Sequence, residues 1–205
     1  MRAEPRMKLT WAAILVSRGV KFLQAAQAAY PYRYPTAIHM KLTLNDLLVP
    51  LDRGRDTSLL EEWAWLVGEN ALPILATANG NMFYADGHAN DCVHILDAAC
   101  STVRDVCPTW DDFGSVIAVR ENADEWLTPQ LVGDLIELLG PLPDGHCFGF
   151  KLPPCVGGSF SVDNFEPTSL ALHFGLLGHI ACQVQKYPDG APIRSFTIAD
   201  PENVG

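Results

Sequence analysis

The sequence predicts an α+β fold, a mainly antiparallel sheet flanked by helices. Three observations carry that prediction. Short apolar runs separated by Asn-Gly and Asp-Gly pairs fill residues 73–97, the pattern of an antiparallel meander. Apolar residues at helical spacing follow in 109–117 and 128–139. Of the 205 residues, 48% are apolar and 19% charged, a composition that closes a core rather than staying disordered.

From Met40 the elements follow in order. Leu44 to Val49 is largely apolar around Asn45-Asp46, and Pro50 with Gly54 makes a loop. Asp56-Thr-Ser58 offers N-cap oxygens ahead of a short helix over Leu59–Val67, which Gly68 closes. Pro73–Ala78 is a strand. Asn79-Gly80 suits a type I′ turn, whose two central residues both take positive φ. Met82–Tyr84 returns as the partner strand, Asp86-Gly87 turns again, and Val93–Leu96 makes a third strand, with Ser101–Cys107 as a fourth. Thr109 caps a helix with Asp112 at its third position, and Trp110, Phe113, Val116 and Ile117 share one face. Thr128 and Pro129 mark the N-cap and first residue of the next helix. Leu131, Leu135, Ile136 and Leu139 form its stripe, and Gly140-Pro141 stops it. His146–Lys151 is a strand. Thr168–Lys186 is a helix with Leu170, Phe174, Leu177, Ile180 or Ala181, and Val184 on one side, and Ile193–Ile198 is a last strand. Gly175 and Gly178 each cost that helix about 1 kcal/mol relative to Ala, a cost that close packing offsets.

Residues 1–39 differ in kind. They hold six Lys or Arg and one acid, Glu4, a net charge of +5, which leaves −15 on residues 40–205. The apolar run Trp11–Val16 falls far short of the roughly 20 residues that span a bilayer. It is also shorter than the core of a secretory signal, although the small residues of Gln24–Ala29 suit one. Met40-Lys-Leu-Thr43 repeats Met7-Lys-Leu-Thr10. Three readings of 1–39 stand open: an extension that is not expressed, with the true start at Met40; a basic N-terminal helix of low order, broken by Pro31 and Pro35; or a weak signal-like segment. Residues 40–205 are then the acidic α+β domain. Its charge repels nucleic acid and draws basic partners; solubility alone is the plainer account of the same charge. Six cysteines occur without a Cys-x-x-Cys pair, the usage of reduced, mostly buried thiols in a cytoplasmic protein.

The candidate chemical groups do not assemble into a reaction centre by spacing. His173 and His179 are six apart on one helix and point apart, so with Cys182 they do not make the three or four convergent ligands of a zinc site. His88 and His146-Cys147 lack partners of that kind too. Asp111-Asp112 and Asp124-Glu125 are carboxylate pairs near helix starts, where the helix dipole favours acids. Gly157-Gly158 lacks the Gly-Lys-Ser/Thr ending of a phosphate loop and marks a turn, approached through the stiff Pro153-Pro154. No catalytic residue, cofactor site or metal site is expected. Trp63 and Trp65 lie two apart on a helix and so on different faces, one in the core and the other available as an interface anchor. The expected partner-binding residues are Trp63 or Trp65, Asp86, Asp91, Asp111 and Glu125.

Several strings taken together resemble a known family. They are Glu62-Trp-Ala-Trp-Leu-Val67, Leu72-Pro-Ile-Leu-Ala-Thr-Ala-Asn-Gly-Asn-Met-Phe83, Val93-His-Ile-Leu-Asp97, Cys147-Phe-Gly-Phe-Lys-Leu-Pro-Pro-Cys-Val-Gly-Gly158, Asp163-Asn164 and His173 through Pro192. This pattern is similar to the bacterial domain-of-unknown-function family that also forms the C-terminal part of type VI secretion DNase-immunity proteins, with a SUKH-like fold. It covers most of 59–198 and none of 1–39. The resemblance implies a cytoplasmic α+β domain with an inhibitory role toward a protein partner, a toxin, and no catalytic residue. The expected function is a non-enzymatic binding protein that inhibits a basic toxin. A small-molecule-binding or housekeeping module, its pocket lined by Gly145–Gly158 and the 170–184 helix, is the alternative. A hydrolase using His173 or His179 is the third reading.

Overall fold

The computed structural model of the chain describes residues 34–35, 41–51, 56, 58–87 and 92–188. The first described elements are a small hairpin, β1 (Tyr34–Pro35) paired antiparallel with β2 (Lys41–Leu42). The boundary expected at 39/40 thus falls between two paired strands. The apolar run after it splits in two. Leu44–Leu47 makes one helical turn, α1, because Asp46 at its third position accepts from Thr43 N at 2.7 Å and closes a capping box. Leu48–Pro50 then enters the main sheet as edge strand β3.

Between β3 and the meander lie a 3₁₀ turn, Glu61–Trp63, and a single α-helical turn, α2 (Ala64–Val67). The helix expected over 59–67 is therefore shorter and tighter. Its cap position falls on Leu60, which makes no side-chain hydrogen bond. Gly68 ends it at φ +88°, as expected.

The meander itself is as predicted: β4 (Leu72–Thr77), β5 (Met82–Ala85), β6 (Val93–Asp97) and β7 (Thr102–Cys107). The sheet order is β3-β4-β5-β6-β7, antiparallel throughout. Successive residues of a strand face opposite sides. Leu75, Phe83 and Ile95 therefore enter one core, and Ala76, Met82, Tyr84 and Leu96 the other. All four residues of β5 are buried, because helices cover both faces.

On the first face lie α3 (Trp110–Ile117), α4 (Arg120–Leu127) and α5 (Pro129–Leu139). Phe83 meets the edge of Phe113 at 4.9 Å and of Trp126 at 6.0 Å between ring centroids. The Thr109 cap holds, with Asp112 N donating to its hydroxyl at 3.3 Å. At the next helix Thr128 takes the N-cap place with Pro129 first in the helix, as expected, but its side chain makes no capping bond. Thr128 takes a left-handed backbone at φ +41°, and its buried hydroxyl has no hydrogen-bond partner among the described residues. In α5 the deepest positions are Val132 and Leu135, with Leu131, Ile136 and Leu139 only partly buried. α4 was not foreseen; it places Asp124 and Glu125 in the second half of a helix, not at a helix start.

The second face carries α2 and the long helix α6 (Leu170–Val184). Its predicted stripe holds through Ala181, and Ser169 caps it with a bond from Leu172 N at 3.4 Å. Strands β8 (His146–Phe150) and β9 (Phe165–Ser169) form a two-stranded ribbon alongside, tied to the meander by Phe148 N donating to Ala78 O at 2.8 Å. The strand expected at Ile193–Ile198 lies outside the described residues.

One turn differs from its sequence reading. At Asn79-Gly80 only Gly80 has positive φ, +85°, so the turn is not type I′. Gly80 N donates to Thr77 O at 3.0 Å and Thr77 N to Asn81 O at 2.9 Å, the geometry of a three-residue loop closed by a left-handed glycine. The Thr77 hydroxyl also bonds the Asn79 side chain, and it accepts from Asn81 N at 2.8 Å. A side chain that satisfies the turn from within lets Asn79 stay at negative φ.

Candidate protein-binding surface

The histidine most open to a chemical reading is a packing residue. His173 is 4% exposed, and its Nε2 lies 2.9 Å from Gly80 O. Burial holds its pKa down at about 4, with the Gly80 carbonyl opposing only in part. A neutral imidazole on a backbone carbonyl has no substrate within reach. His179 is half-exposed on α6, with Nδ1 3.7 Å from Glu62 Oε2. Burial pushes the thiols of Cys147 and Cys155 up, and that of Cys107 up to about 11, which lowers their nucleophilicity at neutral pH. Among the described residues no three His, Cys, Asp or Glu side chains converge on a metal position.

The Pro-Pro and Gly-Gly segment is a built loop. Asn164 clasps it by donating to Leu152 O at 2.8 Å and Ser159 O at 2.7 Å while its own oxygen accepts from Leu152 N at 3.0 Å. Gly157 sits at φ +100°, and a Cβ on Gly158 would stand 1.7 Å from Leu152 O, so both glycines are required by the bend. Leu152 and Phe160 are left exposed on it.

The expected partner-binding residues separate cleanly. Trp63 is fully buried, with Nε1 donating to Phe174 O at 2.9 Å, so it is not on the surface. Its neighbour Trp65 is half-buried and stacks on it at 6.2 Å, although the two lie only two residues apart. The tight 3₁₀ turn at Trp63 makes that stacking possible. Asp91 and His88 lie outside the described residues.

Trp65, Asp111 and Glu125 belong to elements that border β7, whereas Asp86 directly follows β5, two strands away. Trp65 packs in the same core as Val103 of β7. Asp111 opens α3, which starts three residues after β7 ends. Glu125 pairs with Arg104, which β7 projects toward α4. On the opposite face Asp105 Oδ1 lies 2.9 Å from His94 Nδ1, and Asp86 Oδ2 lies 3.8 Å from His94 Nε2. His94 stacks on Tyr84 at 5.2 Å. Burial first, then Asp105 and Asp86, pushes the Tyr84 hydroxyl up to about 12, so it stays a protonated donor. Asp105 and the Arg104–Glu125 pair were missed in the sequence. In β7 Thr102, Arg104 and Asp105 are exposed and Val103 and Val106 half-buried, a broken alternation that does not single them out.

A second feature is a cleft of about 570 Å³ between α1, β3, the 141–146 loop and the start of α6. Its described lining holds Asp46, Asp56, Asp144 and His146, and no Lys or Arg. It touches the 145–158 block only at Gly145 and His146.

Comparison with known proteins bears on the stretch from α3 into α6. Residues 109–181 match the family model described as T6SS immunity protein Tdi1, C-terminal. The resemblance to type VI secretion immunity proteins is thereby borne out over that span. No curated protein matches the chain in sequence. Among solved structures, Atu4351 from Agrobacterium tumefaciens is similar at 14% identity and a TM-score of 0.46, over 60% of this chain and 63% of that one. This chain therefore corresponds to less than two thirds of that protein's length. No helix of the described residues is long and apolar enough to cross a membrane.

Proposed function

We propose that this chain is a non-enzymatic, cytoplasmic immunity-type inhibitor that binds a basic toxin delivered by type VI secretion. The observation that supports it is the match of 109–181 to an immunity-protein C-terminal family, a span that includes the acidic helices beside β7. Inhibition would be steric. The chain occludes the toxin's working surface, and opposite fields speed the encounter. The net charge of −10 gives that field its sign. The test is co-expression with candidate basic type VI effectors, beginning with any that is encoded beside this chain. Rescue of growth and a stable complex on gel filtration are expected; neither rescue nor complex would sink the proposal.

The acidic cleft favours one other reading, a small-molecule module, because its volume falls in the range of ligand pockets. A thermal-shift series with small amines separates the two. Stabilisation that is lost in Asp144→Asn would support the module, and a flat response would leave the cleft as surface relief.

A further inference from the structure

The sheet has two outer strands, and they are finished differently. β3 is three residues long, with Leu48 and Val49 buried and Pro50 at its end. β7 is six residues long, and among the described residues it pairs only with β6. No further backbone hydrogen bond from Thr102 to Val106 is present among the described residues. Alternate N–H and C=O groups of such a strand point away from its neighbour and remain available to an added strand. The β8–β9 ribbon offers less, since β9 contains Pro167 and β8 is tied to Ala78 through Phe148.

The two sides of this open edge carry different charge. Toward α4, Arg104 is balanced by Glu125, and the next arginine, Arg120, is balanced by Asp124 at 3.3 Å. Toward the opposite face, Asp105 is 95% exposed, with its Oδ1 2.9 Å from His94 Nδ1. An extended chain laid beside β7 would put every second side chain over each face.

We infer that β7 is a strand-addition site. It takes an extended segment of a protein partner as a sixth strand, with a Lys or Arg among its alternate positions facing Asp105 and neutral side chains on the Arg104 side. The inference rests on the inhibitor reading above and names how that partner is held. Main-chain bonds supply affinity, and the basic position supplies selection.

The test uses the full chain and the same candidate effectors, with amide exchange followed by mass spectrometry in the free and bound states. Binding is expected to slow exchange in 102–107 by on the order of tenfold or more. Asp105→Lys should weaken association by roughly tenfold and flatten its salt dependence while leaving the melting midpoint in place. A complex in which 102–107 exchanges as in the free chain overturns strand addition and leaves the inhibitor reading standing. No complex at all overturns both. Protection of 102–107 in the isolated chain, rising with its concentration, would mean that a second copy occupies the edge and would overturn the basic partner.

Discussion

The junction between α6 and the β4–β5 turn and the outer edge of β7 belong to one sheet, yet they are built on opposite plans. At the junction every close approach is filled. His173 bonds Gly80 O, a Cβ on Gly149 would lie 2.8 Å from the Thr168 hydroxyl, and Gly178 lets Trp63 reach Phe174 O. At the β7 edge Arg104, Glu125 and Asp105 are ordinary charged residues, 47% to 95% exposed, the first two joined in an ion pair. The distinctive strings of the sequence, Asn79-Gly80, Phe148-Gly-Phe150 and His173, close the core. The surface fit for a partner is assembled from residues with no motif, brought together by strand register.

If that contrast is right, the largest stability losses come from the junction. Gly80→Ala has two costs: a left-handed backbone at φ +85°, and a Cβ 2.6 Å from the His173 ring. Together these should destabilise by about 3–4 kcal/mol through strain and a displaced buried hydrogen bond, measured by urea unfolding. A loss below about 1 kcal/mol would show a junction that gives way easily, and would dissolve the contrast.

Acid should find the same place. The His173 pKa falls from 6.5 unfolded to about 4 folded, so between these values the unfolded chain binds the extra proton. The stability held by the neutral ring is complete above pH 6.5 and is lost as pH falls, by about 3 kcal/mol at pH 4. Wild type should therefore lose about 3 kcal/mol more than His173→Gln between pH 7 and pH 4. Parallel pH curves for the two proteins would remove His173 as the cause.

The reach of the sequence follows the same division. The meander, the Thr109 cap, the α6 stripe and the Gly157 turn were all legible, since each rests on local periodicity or on one residue's backbone preference. The single turns α1 and α2 and the helix α4 were not, because elements this short are fixed by what they pack against. Thr128 stands at the expected N-cap but takes a left-handed backbone there and makes no side-chain capping bond. Of the expected partner residues, Trp63 failed because its indole N–H finds a helix carbonyl inside the core, which no spacing rule reports. Asp105 was overlooked for the opposite reason: a lone strand aspartate has no signature until the neighbouring strand and helix are placed around it.

Two glycines on α6 sharpen the comparison within a single element. A Cβ on Gly178 would stand 2.8 Å from Glu62 Cβ and 2.9 Å from Trp63 Nε1, whereas nothing lies within 4 Å of one on Gly175. Gly178→Ala should cost about 1–3 kcal/mol by overpacking. Gly175→Ala should stabilise by up to about 1 kcal/mol through helix propensity. Equal shifts of the melting midpoint for the two variants would mean that the helix does not seat against Trp63 as described.

The smallest effect belongs to the edge. Arg104 is 47% and Glu125 55% exposed, so water screens their attraction and two long side chains must be ordered to hold it. A double-mutant cycle with Arg104→Gln and Glu125→Gln should give a coupling below about 1 kcal/mol for folding. A coupling of about 2 kcal/mol or more would make the pair part of the scaffold, and the edge would then resemble the junction after all. With the expected small value, both charges are free to be spent on association. Glu125→Gln exposes an unbalanced Arg104 on the α4 side of β7, which should slow the encounter with a basic partner most at low salt and least above the ionic strength that screens it.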